Sequence, residues 1–165
     1  MTDSATQDTG YEARVRASFA RQRVMGTIGA KLARVAPGEV DIEIAFREDL
    51  TQQHGYLHAG VVAAVVDSAC GYAALTLADA GAEVVSVEFK LNLLAPAVGE
   101  RFVARARVRR AGRRVTVCAG DLFAVAGGAE KAVATHARDD DDGQGVSVGG
   151  MPPRPGAASD ELRTG

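Results

Sequence analysis

A chain of 165 residues, 47% hydrophobic and 24% charged with a net charge of −2, is long enough to bury one core and too short for two full domains. The near balance of charge excludes the pronounced basic stripe of a nucleic-acid binder, and no apolar run is long and charge-free enough to cross a membrane. The only two cysteines, Cys70 and Cys118, lie among small apolar residues, which suits buried free thiols better than a disulfide framework.

Residues 1–10 are polar and lack the basic-then-apolar order of a secretory signal, so they read as a disordered tail on a cytoplasmic protein. From Tyr11 to about Arg23, Tyr11, Val15, Phe19 and Ala20 recur at helical spacing with arginines between them, which predicts a short amphipathic helix over the edge of a core. Two strands follow, about Ile28 to Val35 and Val40 to Phe46. Between them Ala-Pro-Gly-Glu supplies the fixed and permissive dihedrals of a hairpin turn.

Thr51 to His58 is polar and carries Gly55; after it Ala59 to Ala80 is apolar on most sides, which predicts a long buried helix stopped by Gly81. Next, Val85, Val87, Phe89, Leu91 and Leu93 alternate with Ser86, Glu88, Lys90 and Asn92, the pattern of a half-buried strand. Further strands are expected at Arg101 to Arg109, Arg114 to Val125 and Ala129 to Arg138, turning at Ala111-Gly112 and Gly127-Gly128. Residues 139–165 are rich in Asp, Gly, Pro and Ser and read as a disordered tail. That tail holds six acidic and two basic residues of the chain's twenty-one and nineteen, leaving fifteen and seventeen in residues 1–138. The resulting domain, 11–138, is slightly basic and compatible with a phosphorylated small ligand. One long helix followed by consecutive hairpin-linked strands belongs to the α+β class, with an antiparallel sheet wrapped around the helix. The absence of helices between the last strands, and of any glycine-rich dinucleotide or phosphate loop, excludes a Rossmann-like arrangement.

Asp67 is the most informative residue. A carboxylate inside an almost wholly apolar helix incurs a desolvation cost of several kcal/mol unless partnered. Its helical neighbours Ala63, Ala64, Cys70 and Gly71 are all small, so a ligand could reach it; the structural alternative is an aspartate bonded to nearby backbone. Upstream, the unpaired N–H groups at the helix start, near His58 and Ala59, form a ready oxyanion site. Gln52, Gln53, His54, Tyr56 and His58 gather amide and ring groups beside it. His54, His58 and His136 fit no metal-ligand spacing, and Gly55 between the first two argues for a loop, so no metal or cofactor is expected. His58 and Asp67 are nine positions apart, about 13 Å along a helix and about half a turn round it. If both act on one substrate atom, a twofold dimer is the natural solution.

His58-Ala59-Gly60, six residues, then Asp67 and the small stretch Ser68 to Ala74 resemble the His-Gly-Gly…Asp signature of the PaaI-like acyl-CoA thioesterases. Val85 to Pro96, with Gly99-Glu100 after it and the Arg110-Ala111-Gly112-Arg113-Arg114 hairpin, is also similar to that family; the match spans about Phe19 to Arg138. The resemblance implies a hotdog fold and hydrolysis of an acyl-CoA. It assigns Asp67 as general base or nucleophile, the Ala59 N–H as the donor to the thioester carbonyl, and His58 as the histidine near that carbonyl. Gln52 falls where relatives carry a water-holding Asn, and Ser86 matches an assisting hydroxyl. Gly60 belongs to the same binding element; Tyr56, Leu57, Tyr72 and Leu75 would set pocket depth; and Lys90, Arg110, Arg113 and Arg114 are candidates for the CoA phosphates, or else a solvated hairpin tip. A homodimer is the implied active unit, with a homotetramer as the implied assembly. Two departures bear on rate and substrate preference: Ala59 replaces the first Gly of His-Gly-Gly, and Gln52 replaces the Asn.

Two other readings compete. A hotdog enoyl-CoA hydratase or dehydratase would use His58 and Asp67 on a carbon–carbon double bond, but neither an Asp-x-Asn-x-x-His motif nor a His-Phe-Pro-Gly segment occurs. A non-catalytic acyl-CoA-binding module would keep the pocket without turnover.

Overall fold

A computed structural model describes residues 10–135 and 146–151. In chain order the elements are α1 (Tyr11–Arg21), α2 (Arg23–Thr27), β1 (Lys31–Ala36), β2 (Glu39–Ala45), a 3-10 turn (Glu48–Leu50), α3 (Ala59–Leu75), β3 (Glu83–Glu88), β4 (Asn92–Leu93), β5 (Arg101–Arg110), β6 (Val115–Ala126), β7 (Ala129–Thr135) and β8 (Val146–Met151). All pairings are antiparallel, in the order β1-β2-β5-β6. Beyond β6 the sheet divides along its length. β7 pairs one half of β6 and carries β4; β8 pairs the other half and carries β3.

This sheet wraps around α3. The inward residues Val40, Ile42, Ile44, Phe102, Ala104 and Leu122 are buried against Val62, Val65, Val66, Ala69, Cys70 and Ala73 of the helix. Small residues at this contact let the backbones approach. A Cβ on Gly120 of β6 would stand 2.8 Å from the Cys70 sulfur and 2.9 Å from Val66, so only glycine fits there. Ion pairs bind the strands to one another through Arg101 and Glu43 and through Arg105 and Glu130, each at 2.7 Å.

Several boundaries differ from the sequence expectation, each for a tertiary reason. The first helix breaks at Gln22, which is extended at φ −78° and ψ 94°, and Ile28 closes α2 instead of opening β1. α3 ends at Leu75 instead of running on to Ala80. There the Arg14 guanidinium donates to the carbonyls of Leu75, Ala78 and Asp79 at 2.8–3.1 Å. The buried Thr76 hydroxyl donates to Ala73 O and accepts from Gly38 N–H, both at 2.7 Å. The last helix carbonyl, Leu75 O, thus gains a partner far away in sequence, while Ala73 O is met by Thr76 three residues on. Gly38, at φ +73°, makes the turn between β1 and β2 that reaches Thr76.

The strand expected over Val85 to Leu93 is interrupted at Phe89–Leu91. Most of its apolar set is exposed, Val85 at 45%, Val87 63%, Phe89 47% and Leu93 57%, with Leu91 partly buried against the core, while Ser86 from the polar set faces α3. This is an edge segment, and among the described residues no further strand pairs beyond it. Residues 146–151, which composition assigns to a disordered tail, instead form β8. They find backbone partners on both sides, β3 and β6, and paired backbone offsets the ordering cost that weak side chains leave. The expected end of the preceding strand, residues 136–138, and the rest of both tails fall outside the described residues.

Candidate active site

Two cavities flank α3, one beside its N-terminus and one beside its middle, and the residues singled out by sequence divide between them. At the N-terminus His58 is the capping residue, extended at φ −63° and ψ 136°. Its carbonyl accepts from Val61 N–H and Val62 N–H, and its Nδ1 accepts from Gly60 N–H at 2.8 Å. Among the described residues no acceptor takes the Ala59 N–H, as expected of a first-turn donor. The approach loop is held by its own backbone: His58 N–H donates to Leu50 O, Leu57 N–H to Ala97 O, and Gln52 N–H to Tyr56 O. Gln52 curls back so that its side-chain oxygen accepts from His54 N–H, leaving its NH2 as the free end. Gln52, Tyr56, Leu57 and Ala59 line a cavity of about 410 Å³, closed on the far side by Leu93 to Ala97.

Asp67 lies in the second cavity, of about 360 Å³. It is half-buried, and its Oδ1 accepts a 2.6 Å hydrogen bond from the Ser86 hydroxyl of β3. A charge in an apolar helix is therefore partnered by a side chain from the edge strand and opens onto space. Tyr72 lines the same cavity; burial raises its pKa, keeping the phenol protonated. Sequence reasoning did not find Ser18 of α1 and Gln22 at the break between α1 and α2, which also line this cavity. Gln22 Nε2 donates to Ser68 Oγ at 3.2 Å. Their position depends on how α1 docks, for which no local spacing is a signal.

Lys90, Arg110, Arg113 and Arg114 are exposed and line neither cavity. Burial, with Cys118 and Asp67 nearby, pushes the Cys70 thiol well up, and burial pushes Cys118 up to about 12. Both sulfurs are therefore protonated packing groups and poor nucleophiles. Among the described residues no group of three His, Cys, Asp or Glu side chains could hold a metal ion, and no helix is long and apolar enough to span a membrane.

An antiparallel sheet curled around one long central helix is the hotdog fold. The sequence profile of the thioesterase superfamily matches residues 54–130. A human protein named acyl-coenzyme A thioesterase 13 is 35% identical over 102 residues, 61% of this chain and 71% of its own. A protein from Saccharolobus solfataricus named a putative esterase is 33% identical over 90 residues, where the chain spans 64% of that relative's length. The solved structure of a thioesterase family protein from Silicibacter pomeroyi superposes with a TM-score of 0.80 at 45% identity, covering 87% of this chain and 99% of that one. The chain belongs to the thioesterase superfamily.

Proposed function

We propose that the protein hydrolyses acyl-CoA thioesters in a site completed by two copies of the chain, with Asp67 of one copy acting on a carbonyl held by the Ala59 N–H of the other. The observation that carries this reading is the Ser86–Asp67 hydrogen bond at the mouth of a cavity. It orients one carboxylate oxygen and leaves the other free to work. The acyl-CoA substrate follows the named activity of the human relative.

The open edge strand supports the dimer. Glu83 to Ser86 border the Asp67 cavity and Leu93 to Ala97 border the Ala59 cavity. A twofold axis crossing the edge near Phe89 and Lys90 sets one cavity against the other, covering the exposed Val87, Phe89 and Leu93. In such a site Asp67 takes a proton from water as its oxygen adds to the thioester carbon. Alternatively, Asp67 adds directly and forms an anhydride. Either way the negative charge grows on the carbonyl oxygen beside the Ala59 N–H. Collapse breaks the carbon–sulfur bond: in the first route the proton on Asp67 passes to the sulfur and CoA leaves as the thiol beside the free acid; in the second the thiolate takes a proton from solvent, and water then cleaves the anhydride to the acid and restores the Asp67 carboxylate. Gln52 offers its NH2 to water or carbonyl, and Tyr72, Tyr56 and Leu57 bound the acyl group. Lys90, Arg110, Arg113 and Arg114 supply positive charge for the CoA phosphates.

Thiol release from a panel of saturated acyl-CoAs tests this directly. Asp67→Asn should lower kcat by a factor on the order of 10² to 10⁴ with the thermal transition intact. An unchanged rate in that variant, or hydration of an enoyl-CoA without thiol release by the wild type, overturns it.

A further inference from the structure

The imidazole of His58 is turned back onto its own helix. Nδ1 accepts from the Gly60 N–H at 2.8 Å, the bond by which Ser, Thr, Asp and Asn side chains ordinarily cap a helix at this position. The ring lies so close over residue 60 that a Cβ there would stand 3.1 Å from Nδ1 and 3.3 Å from Cε1. A side chain at residue 60 would push the ring outward by a few tenths of an ångström. With Nδ1 as acceptor, the neutral ring carries its proton on Nε2. The cap also divides the first-turn donors: Gly60 N–H is consumed, Val61 and Val62 N–H bond to His58 O, and Ala59 N–H is left over. Ala59 itself lines the 410 Å³ cavity, so the uncommitted donor belongs to a residue of that cavity's wall.

We infer that His58 is a positioning residue, which caps α3 over a side-chain-free Gly60 and thereby fixes the direction of the Ala59 N–H toward the substrate carbonyl. The inference rests on the proposed site and deepens it: the histidine works through the helix, and the residue that meets the carbonyl is the one after it. The same bond leaves Nε2–H as a donor, so the cap and a direct contact of the imidazole with the carbonyl must be told apart by substitution.

The two roles separate by substitution, because asparagine caps a helix as well as any residue and has no imidazole. In the full-length enzyme His58→Ala should lower kcat about tenfold with KM within about twofold, and His58→Asn should recover to within about threefold of the wild type. Amide hydrogen exchange at Gly60 reads the cap without any reaction: exchange should quicken about tenfold in His58→Ala and return toward the wild-type rate in His58→Asn. An asparagine variant as slow as the alanine one, with Gly60 protection restored, overturns the inference, because the imidazole would then act on the substrate. Unchanged Gly60 exchange or unchanged kcat in His58→Ala overturns it too. Should the wild type release no thiol at all, the acyl-CoA reading fails by itself, and Gly60 exchange still decides for or against the cap.

Discussion

The two ends of α3 are held in opposite ways. At the C-terminus the Arg14 guanidinium gathers three carbonyls and the buried Thr76 hydroxyl links Ala73 to the β1–β2 turn. At the N-terminus the residues are exposed and a single imidazole makes the cap. The buried end commits the Arg14 guanidinium NH2 groups and the Thr76 hydroxyl to the fold. The exposed end keeps a backbone donor uncommitted, and a donor can serve a substrate only if the fold has left it unsatisfied. Anchoring and chemistry are thereby separated along one helix, with Asp67 between them.

Substitutions at the anchored end test this division. The largest effect is expected from Arg14→Ala, which strips three charge-assisted bonds from the helix terminus: stability should fall by about 2–3 kcal/mol in denaturant titration. Thiol release per folded molecule should stay near the wild-type value; a large loss of kcat in the folded fraction would mean that the two ends are coupled. Thr76→Val leaves the Gly38 N–H buried without an acceptor and should cost about 1–2 kcal/mol, again with little change in kcat.

The smallest effect concerns pH and the thiols beneath the middle of the helix. Cys118 titrates from 9.0 in the unfolded chain but only near about 12 in the fold. Below pH 9 both states hold the proton, and its contribution is fully present. Above pH 9 the unfolded state loses protons first, so stability declines through the window from about 9 to about 12. Cys118→Ala should make the alkaline limb of stability against pH shallower, and native Cys70 and Cys118 should resist thiol reagents at neutral pH until the protein unfolds.

The anchored and open ends also differ in how far they were legible. The apolar run from Ala59, the polar loop before it and the lone Asp67 located α3 and its start, because those signals lie in contiguous residues. Its end was misplaced because Arg14, some sixty positions upstream, takes the carbonyls there. Spacing marked His58 and Gly60, but only coordinates reveal that the ring lies over the glycine. The alternation from Val85 to Leu93 was visible, yet whether an apolar face is covered depends on neighbours that periodicity does not encode. For β8, the partners lie on β3 and β6, while its own Val-Ser-Val-Gly-Gly-Met is indistinguishable from the low-complexity residues around it.

The divided strand next to β6 has a consequence for how the sheet opens. Thr135 stands opposite Asp121 and Val146 opposite Cys118 on the same side of β6, so β8 takes up the line of β7 after ten intervening residues. The two halves of β6's outer side are thus bordered by separate strands, and a substitution that weakens β8 should leave the β6–β7 half protected, which amide exchange at Leu122 and Ala124 would read.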